Sequence, residues 1–264
     1  MSFYGSTFVY NDLSSDQFGL RIGELDGGGV NDLMGSNSLE IVEQKIYRRS
    51  TPFFYGSTAA PKLSFEVSAY SEQDLDGDML AEIQRAYFST RVYKQFKIMQ
   101  SDISDTYFNA LLLDPKITKI GNVGKGITFT VSCDSPFAWH YPKITTWSFA
   151  GADIDESKTF LNNSDDSGAY LYPSLTITMN TTGGNATITN SDDGNRVFQF
   201  TGLSANEVII MDCSRQTLSS STGLKRLGLF NKKFLRLVPG INHLRIQGGI
   251  ARIDMTTQFV AKKI

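Results

Sequence analysis

The sequence has few of the residues on which enzymes and metalloproteins depend. Its 264 residues include two histidines and two cysteines. Neither histidine, His140 or His243, has Cys, Asp or Glu at the spacing typical of metal ligands. No G-x-S-x-G motif supports a nucleophilic serine. The sequence therefore predicts no catalytic residues, no metal site and no cofactor, and it argues against an enzyme.

Long apolar runs are also missing. No run approaches the roughly 18 residues of a membrane span, and the first residues lack the charged and apolar regions of a signal peptide. Cys133 and Cys213 lie far apart in the sequence. One disulfide between them stays open, but two lone cysteines are more often reduced and buried. We expect a soluble protein that folds in the cytosol and has no membrane partner.

Charge is nearly balanced overall but differs between the two halves of the chain. The net charge of −2 gives no argument for nucleic-acid binding. Up to His140 the chain has 12 Lys and Arg against 17 Asp and Glu, a net charge of −5. The remainder has 13 against 10, a net charge of +3. The acidic first half is expected to repel DNA.

Alternating hydrophobicity is the main positive signal in the sequence. Leu63–Tyr70 and Ile127–Cys133 are apolar at every second position, which predicts β-strands. One helix is expected from Met79 to about Ser89, because Leu80, Ile83 and Tyr87 share one face. The fold class is therefore mainly β with one helix. Further strands are predicted in the second half of the chain, at residues 144–149, 174–179, 186–189, 196–200 and 250–260.

Two groups of aromatic residues have two interpretations. Phe53, Phe54 and Tyr55 lie in a segment, Thr51–Gly56, that is predicted to be a turn. Phe137 and Trp139 follow the strand that ends at Cys133. Aromatic side chains are favoured at the centres of interfaces, but they are equally common in cores. Both alternatives remain open at this point.

Two segments imitate ligand-binding loops. Gly121–Gly126 lacks the GxxxxGK[ST] spacing of a phosphate loop and is predicted to be a glycine-rich hairpin turn between strands. Asp74, Asp76 and Asp78 resemble the first ligands of a calcium loop. The sixth position of that loop, however, is Met79 instead of glycine. A solvated helix N-terminus is the better interpretation.

The stretch from Glu207 to Gly249 has the clearest local organisation. An apolar run ends at Asp212-Cys213, a serine-rich loop follows, and Phe234–Val238 and His243–Ile246 have strand-like patterns. Between the last two lies Pro239-Gly240, which suits a type II turn because proline fixes φ and glycine accepts a positive φ. The pattern predicts strand, loop, strand, tight turn and strand.

This stretch resembles the C-terminal signature of the distal tail proteins of long-tailed, non-contractile phages. The residues that carry the resemblance are Asp212, Leu237, Pro239, Gly240, Asn242 and the Gly248-Gly249 pair. The early FGLRI strand and the segment FTVSCDSPFAW are similar to the same family. The resemblance implies an N-terminal belt domain, residues 1–140, and a galectin-like β-sandwich, residues 141–264.

The resemblance also implies a structural role in a phage tail tip, or baseplate. In this family a hexameric ring joins the tail tube to the tip proteins and leaves a channel for the tape measure protein and for DNA. The implied partners are further copies of the chain, the tail tube protein and a tail-tip fibre or lysin protein, with DNA as passing cargo. The implied location is the virion tail tip, after assembly in the host cytoplasm.

Two alternatives belong to other functional classes. A carbohydrate-binding module for adhesion to the host surface is the first, since sandwiches of this kind also bind sugars. Its candidate residues are Trp147, the one tryptophan of the second domain, and His243 and Arg245 on one strand. The second is a tail-tip enzyme such as a peptidoglycan hydrolase, and the absent catalytic pairs argue against it.

Overall fold

The computed structural model describes residues 6–23, 39–59, 62–101 and 103–262. The chain forms two compact units. The first comprises residues 1–140 together with 261–264, and the second comprises residues 141–260. Each unit has its own hydrophobic core.

The first unit combines a large antiparallel sheet, a separate hairpin and the one α-helix in the described part of the chain. The main path of the sheet has the order β2-β1-β7-β8-β9-β6-β3, and β10 pairs with β8 and β20. The separate hairpin is β4–β5. The elements are β1 Thr7–Tyr10, β2 Leu13–Ser14, a 3-10 turn Ser15–Phe18, β3 Leu20–Ile22, β4 Leu39–Gln44, β5 Phe53–Ala59, β6 Ser64–Leu75, α1 Gly77–Phe88, β7 Lys94–Met99, β8 Thr106–Ile120, β9 Val123–Cys133, β10 Ala138–His140 and, at the end of the chain, β20 Val260–Ala261.

Strict alternation of side chains builds the core of the first unit. In β6 the side chains of Phe65, Val67 and Ala69 are buried, while those between them point outward. The same period continues in β9, where Ile127, Phe129 and Val131 are buried. Because strand side chains alternate between faces, each strand buries one face and leaves the other polar.

The helix α1 lies against this core through two residues one turn apart. Ile83 and Tyr87 are buried, and the Tyr87 ring lies 5.3 Å from the Phe8 ring, centroid to centroid. The Asp76 carboxylate caps the N-terminus by accepting a hydrogen bond of 2.8 Å from the Met79 backbone N–H. The predicted helix is therefore confirmed, with its start two residues earlier. The acidic segment before it is a helix cap, as expected.

The longest hairpin of the first unit joins β8 to β9 through Gly121-Asn122. Ile120 pairs with Val123 across this two-residue turn. Gly121 has a φ of +61°, a conformation that glycine adopts without steric cost. A strand follows the turn, so the structure confirms a glycine hairpin instead of a phosphate loop.

The second unit is a sandwich of two antiparallel sheets. Their orders are β11-β19-β13-β16-β17 and β12-β18-β14-β15. Both sheets contribute side chains to one core, which includes Ile177, Phe198, Met211 and Ile246. The elements are β11 Lys143–Ser148, β12 Ile154–Asn162, β13 Ser174–Met179, β14 Gly184–Asn190, β15 Arg196–Leu203, β16 Val208–Asp212, β17 Thr217–Ser220, a 3-10 turn Leu227–Leu229, β18 Gly240–Gly248 and β19 Ile250–Thr257.

The turn between β18 and β19 requires the Gly248-Gly249 pair. A Cβ atom on Gly248 would lie 2.0 Å from the Asn185 carbonyl oxygen. A Cβ atom on Gly249 would lie 2.0 Å from the Gly183 carbonyl oxygen. Backbone approaches this close exclude every side chain. Both glycines are therefore fixed by packing within the sandwich.

The structure confirms the mainly β class with one helix, but three local predictions are wrong. The segment 51–56 was predicted to be a turn, whereas Phe53–Ala59 is the strand β5, paired with β4. Residues 234–238 were predicted to be a strand, whereas only Leu237 makes an isolated bridge, to Leu171. No strand was predicted for β12, whose middle is polar and whose nine residues all pair with β18.

Both cysteines are free and buried, as expected from the sequence. Burial in apolar surroundings raises the pKa of the Cys133 thiol to about 12 and that of Cys213 to about 12. None of the helices in the described part of the chain has the length and hydrophobicity that a membrane span needs.

Candidate functional site

The hairpin β4–β5 and its loop, residues 45–52, form an arm at the surface of the first unit. Among the described strands, β4 and β5 pair only with each other. The arm, as we define it, covers residues 39–59. Its large apolar side chains lie in water: Tyr47 is 86 % exposed, Phe54 68 % and Tyr55 64 %. Several large apolar side chains exposed within one short segment indicate a candidate interaction site.

The tip of the arm is also basic. Lys45, Arg48 and Arg49 fall within five residues, and all three side chains are exposed. The Arg49 guanidinium lies 4.2 Å from the centre of the Phe53 ring, and that of Arg48 lies 5.3 Å from the centre of the Tyr47 ring. Arginines placed over ring faces hold the aromatic and the charged groups together. The tip therefore presents aromatic and cationic groups on one small surface.

The two groups of aromatic residues have different environments. Phe53, Phe54 and Tyr55 are exposed, so the interface interpretation suits them. Phe137 is 8 % exposed, and for this residue the structure favours the core interpretation. Trp139 is half-buried in β10, and its indole N–H donates a hydrogen bond of 3.3 Å to Asp134 Oδ1. The arm is therefore the stronger candidate for an interface.

A groove runs between α1 and the hairpin β8–β9 of the first unit. It has a volume of about 350 Å³. Ile83 and Ile127 are its buried wall residues, and both are aliphatic. We call this the helix groove. Its lining residues are Gly77, Leu80, Ala81, Ile83, Gln84, Phe88, Pro115, Lys116, Ile117 and Ile127.

Charged side chains of both signs flank the helix groove. Asp78 and Glu82 lie on α1, next in sequence to the lining residues Gly77 and Ala81, and both carboxylates are exposed. Basic side chains lie there too: Arg85 on α1 is exposed, and its Nε donates a hydrogen bond of 3.2 Å to the Ala81 carbonyl oxygen. Lys116 lies 3.7 Å from Glu66. Lys125 likewise lies 2.6 Å from Asp74. Charges of both signs therefore lie at the edge of the groove on the α1 side.

The residues that carry the C-terminal resemblance act on backbone turns of the second unit. Asp212 Oδ1 accepts hydrogen bonds from the backbone N–H groups of Ser214 and Arg215, at 2.9 and 3.0 Å. The Ser214 hydroxyl and these N–H groups lower the pKa of the Asp212 carboxyl. Leu237 is fully buried in the core, whereas Pro239 is exposed. Gly240 has a φ of +84°, as the Pro-Gly sequence predicts.

Asn242 holds the turn at residues 238–240 through every polar atom of its side chain. Its Oδ1 accepts from the Val238 N–H at 2.9 Å and from Asn190 Nδ2 at 2.9 Å. Its Nδ2 donates to the carbonyl oxygens of Val238 and Gly240, at 2.9 and 3.1 Å. Asn242 is fully buried. Asn162, also buried, donates a further bond of 3.1 Å to the Val238 carbonyl. A carboxamide network thus replaces a strand ladder at this turn.

Glu207 and Arg226 form the most buried ion pair described in the second unit. The Glu207 side chain has no exposed surface, and Arg226 donates to both of its oxygens, at 2.7 and 2.8 Å. Burial acts to raise the pKa of the Glu207 carboxyl. Hydrogen bonds from Arg226, the Ser220 hydroxyl and the Ser204 N–H outweigh that effect and lower the pKa to about 2. The pair ties the loop that follows β17 to the start of β16.

Sequence reasoning missed this ion pair and the two asparagines that assist Asn242. Glu207 precedes an apolar strand. A charged residue in that position indicates that its side chain has a buried partner. Nothing in the sequence indicates that the partner is Arg226, 19 residues away. Asn190 and Asn162 lie in polar segments typical of turns, so their burial becomes evident only once the strands are assembled.

The structure does not bring together the candidate residues for carbohydrate binding. Trp147 is half-buried against the core in the sheet that contains β11. His243 and Arg245 lie on β18 in the other sheet. His243 Nδ1 lies 3.0 Å from Asp192, and Arg245 is paired with Asp155. A sugar site requires an exposed aromatic platform beside polar groups, and these residues do not form one.

No group of three or more His, Cys, Asp or Glu side chains lies close enough to hold a metal ion within residues 6–23, 39–59, 62–101 and 103–262. The polar clusters described above are satisfied internally by hydrogen bonds. The described surface of the first unit offers an exposed arm with a basic tip, and an apolar groove. These are features of an assembly surface.

Comparison with family models gives two matches that together span most of the chain. A phage tail protein N-terminal domain model matches residues 3–135, and a phage tail C-terminal domain model matches residues 137–257. No protein with a curated description matches the chain significantly.

Solved structures show the same fold. The Dit (gp 19.1) protein of phage SPP1, described as a paradigm of the hub adsorption apparatus in phages that infect Gram-positive bacteria, has a TM-score of 0.68 at 13% identity. The match covers 96% of this chain and 99% of that chain. Two structures of the phage P2 baseplate in its activated conformation, with Ca and with Sr, have TM-scores of 0.52 and 0.51 at 10% identity. Each of these matches covers 98% of this chain and 99% of that chain.

Replacement of Asn242 by alanine is expected to destabilise the second unit by about 3 kcal/mol, because several buried polar groups lose their partner. The measurement is urea unfolding followed by Trp147 fluorescence in a Trp139→Phe background, which leaves one tryptophan. Asn163→Ala, at an exposed position, is the matched control and should change stability little. Equal effects of the two substitutions would contradict the role assigned to Asn242.

We expect the second unit to lose stability in acid, because the Glu207 carboxyl becomes protonated there. Its folded pKa of about 2 lies below the ordinary 4.5, so its contribution is fully present above about pH 5 and fades as the pH falls from 4.5 to 2. The stability advantage of the parent over Glu207→Gln should shrink by about 3 kcal/mol across that window. Unfolding free energy measured against pH tests this. Arg226→Gln removes the donor that most lowers the pKa of the Glu207 carboxyl, so less stability should be lost in acid than in the parent. A Glu207→Gln profile parallel to the parent would refute the assignment.

Proposed function

Because the chain belongs to a family of phage tail proteins, and is therefore a component of the virion tail, we propose that it forms the hub at the distal end of that tail. In this proposal six copies form a ring that joins the tail tube to the tip or baseplate proteins. The ring leaves a central channel for the tape measure protein and for DNA. The particle assembles in the host cytoplasm, where the ring takes its place between tube and tip.

The observation that carries the proposal is the shared fold over the full length of a hub protein. The chain matches the SPP1 Dit protein over 96% of its own length and 99% of that protein's length, in both units together. At 13% identity this likeness concerns the fold, so the hub function of that protein is an argument by analogy. The similarity to the P2 baseplate structures is also an argument by analogy, and it supports a position at the tail tip.

The exposed arm supports self-association. A soluble monomer rarely leaves several large aromatic side chains in water within one short segment. Tyr47, Phe54 and Tyr55 would be covered when copies of the chain assemble. In a ring built from identical contacts, every copy of the chain buries the same surface.

The charge of the first unit supports the passage of DNA. Residues up to His140 have a net charge of −5, counted over 12 basic and 17 acidic residues. A ring wall built from this unit would repel the phosphate backbone, so DNA would pass without binding. DNA is therefore cargo in this proposal and not a ligand.

The proposed role is structural, without catalysis. The partners that it requires are neighbouring copies, the tail tube protein and a tip protein such as a fibre or lysin. The second unit would present its loops to one of these partners. Asp212, Leu237, Pro239, Gly240 and Asn242 contribute by holding the sandwich in shape and not by contacting a ligand.

The experiment that tests the proposal is native mass spectrometry of the purified chain, with negative-stain imaging of the same sample. Six copies of the 29.2 kDa chain should give a species of about 175 kDa, seen as an open ring. The second sample is the chain mixed with its tail tube protein. A closed dimer would contradict the ring. A monomer that also fails to bind the tail tube protein would contradict it too.

A further inference from the structure

We propose that a bulge at Asp114-Pro115 keeps the open edge of β8 from pairing along its length with a strand of another molecule. The bulge thereby prevents open-ended sheet association of the chain before it is built into a tail. Three features of β8 point to this role: an edge left open, an apolar sequence along it, and strained backbone at the bulge. The role does not require the proposed ring.

One edge of β8 is open over most of its length. Residues 110–120 pair with β9 on one side. On the other side, β7 pairs only with residues 108–110. Among the described strands, none besides β9 pairs with residues 111–120. An open strand edge presents unpaired N–H and C=O groups, and a strand of another molecule can pair with them.

The sequence of β8 favours such pairing. Residues 107–113, YFNALLL, contain no charge, proline or glycine. Segments of about six or seven residues with this composition pair readily into sheets between molecules. Leu113, Ile117 and Ile120 are exposed, so apolar contacts would add to the backbone pairing. Natural sequences commonly place a charge or a proline beside a strand of this kind.

Asp114 and Pro115 follow this run directly and interrupt the edge. The register of β8 against β9 shifts between Leu113 and Lys116, so two residues of β8 face one residue of β9. A bulge bends its strand and increases the local twist. Pro115 also has no backbone N–H to offer to a partner. A second molecule therefore meets two short, twisted segments instead of one long edge.

The chain accepts backbone strain at this point. Asp114 has a φ of +51°, which is uncommon for a residue other than glycine. The position before a proline is restricted further. Both side chains of the bulge are exposed, so neither is needed to fill the core. A regular strand would pair with β9 at a lower backbone cost, and interruption of the open edge is what the strained conformation provides.

Restoring a regular strand tests the proposal. The straightened variant deletes Pro115 and carries Asp114→Val, because position 114 would then lie opposite the buried Phe129 and share its face. It should form open-ended, thioflavin-binding assemblies at a concentration on the order of tenfold lower than the parent, since about one or two further backbone hydrogen bonds supply that factor. Pro115→Thr restores the N–H and keeps the bulge, so its association should lie between the two.

Pro142→Thr is the matched control. Pro142 is exposed and lies outside the strands, so this variant should associate as the parent does. Circular dichroism establishes that each variant folds. A folded straightened variant that associates no more than the parent would overturn the proposal. If the straightened variant does not fold, Pro115→Thr decides, and association equal to that of Pro142→Thr would overturn the proposal.

Amide hydrogen exchange, measured by NMR on the dilute parent, locates the open edge directly. Alternate residues of an antiparallel strand direct their N–H groups to opposite sides, so about half of the amides in residues 111–120 should exchange quickly. In assemblies of the straightened variant they should become protected. Protection of all of them in the dilute parent would overturn the proposal. Closed rings of six in both the parent and the straightened variant would overturn the role of the bulge and leave the hub proposal standing.

Discussion

The buried carboxamide of Asn242 fixes the start of β18, the strand on which the four-stranded sheet of the second unit depends. β18 lies between β12 and β14 and pairs with both, so its register sets that of the four-stranded sheet. Asn242 accepts and donates across the Val238–Gly240 turn, and this decides where β18 begins. At the far end of β18, Gly248 and Gly249 approach neighbouring backbone too closely for any side chain. One strand is thus constrained at both of its ends.

In the first unit, apolar side chains and not a buried polar network determine the structure. Its core is built from alternating strands and one helix, and these account for the buried aromatic residues. The arm is then left with aromatic side chains that the core does not use. Water does not solvate such a surface well, and the helix groove is a second surface of this unit with an apolar lining.

The sequence was sufficient to predict elements whose side chains decide their own structure. The strand containing Phe65 and Val67 and the helix containing Ile83 and Tyr87 show the correct period, so alternation and helical spacing located them. The Pro239-Gly240 turn could be predicted for the same reason, because its backbone angles are local properties. The resemblance to phage distal tail proteins rested on such local features and led to the phage tail family.

Other elements depend on partners distant in sequence, and for these local reasoning failed. The strand β12 has a polar middle and exists because it pairs with β18 along its whole length. The segment around Leu237 has a strand-like pattern, yet its backbone groups bond to the side chain of Asn242 and to Leu171. The Glu207–Arg226 pair forms only once the loop after β17 has folded back. Tertiary contacts decided each of these cases.

The central claim is that the chain forms the hub at the distal end of a phage tail, and its position in the particle tests this most directly. We would tag the chain in an exposed loop of the second unit and image labelled particles by cryo-electron microscopy. The account predicts label at the junction between the tail tube and the tip, with six copies in a ring. Label along the whole tube, or at the end of the tail nearest the capsid, would contradict it.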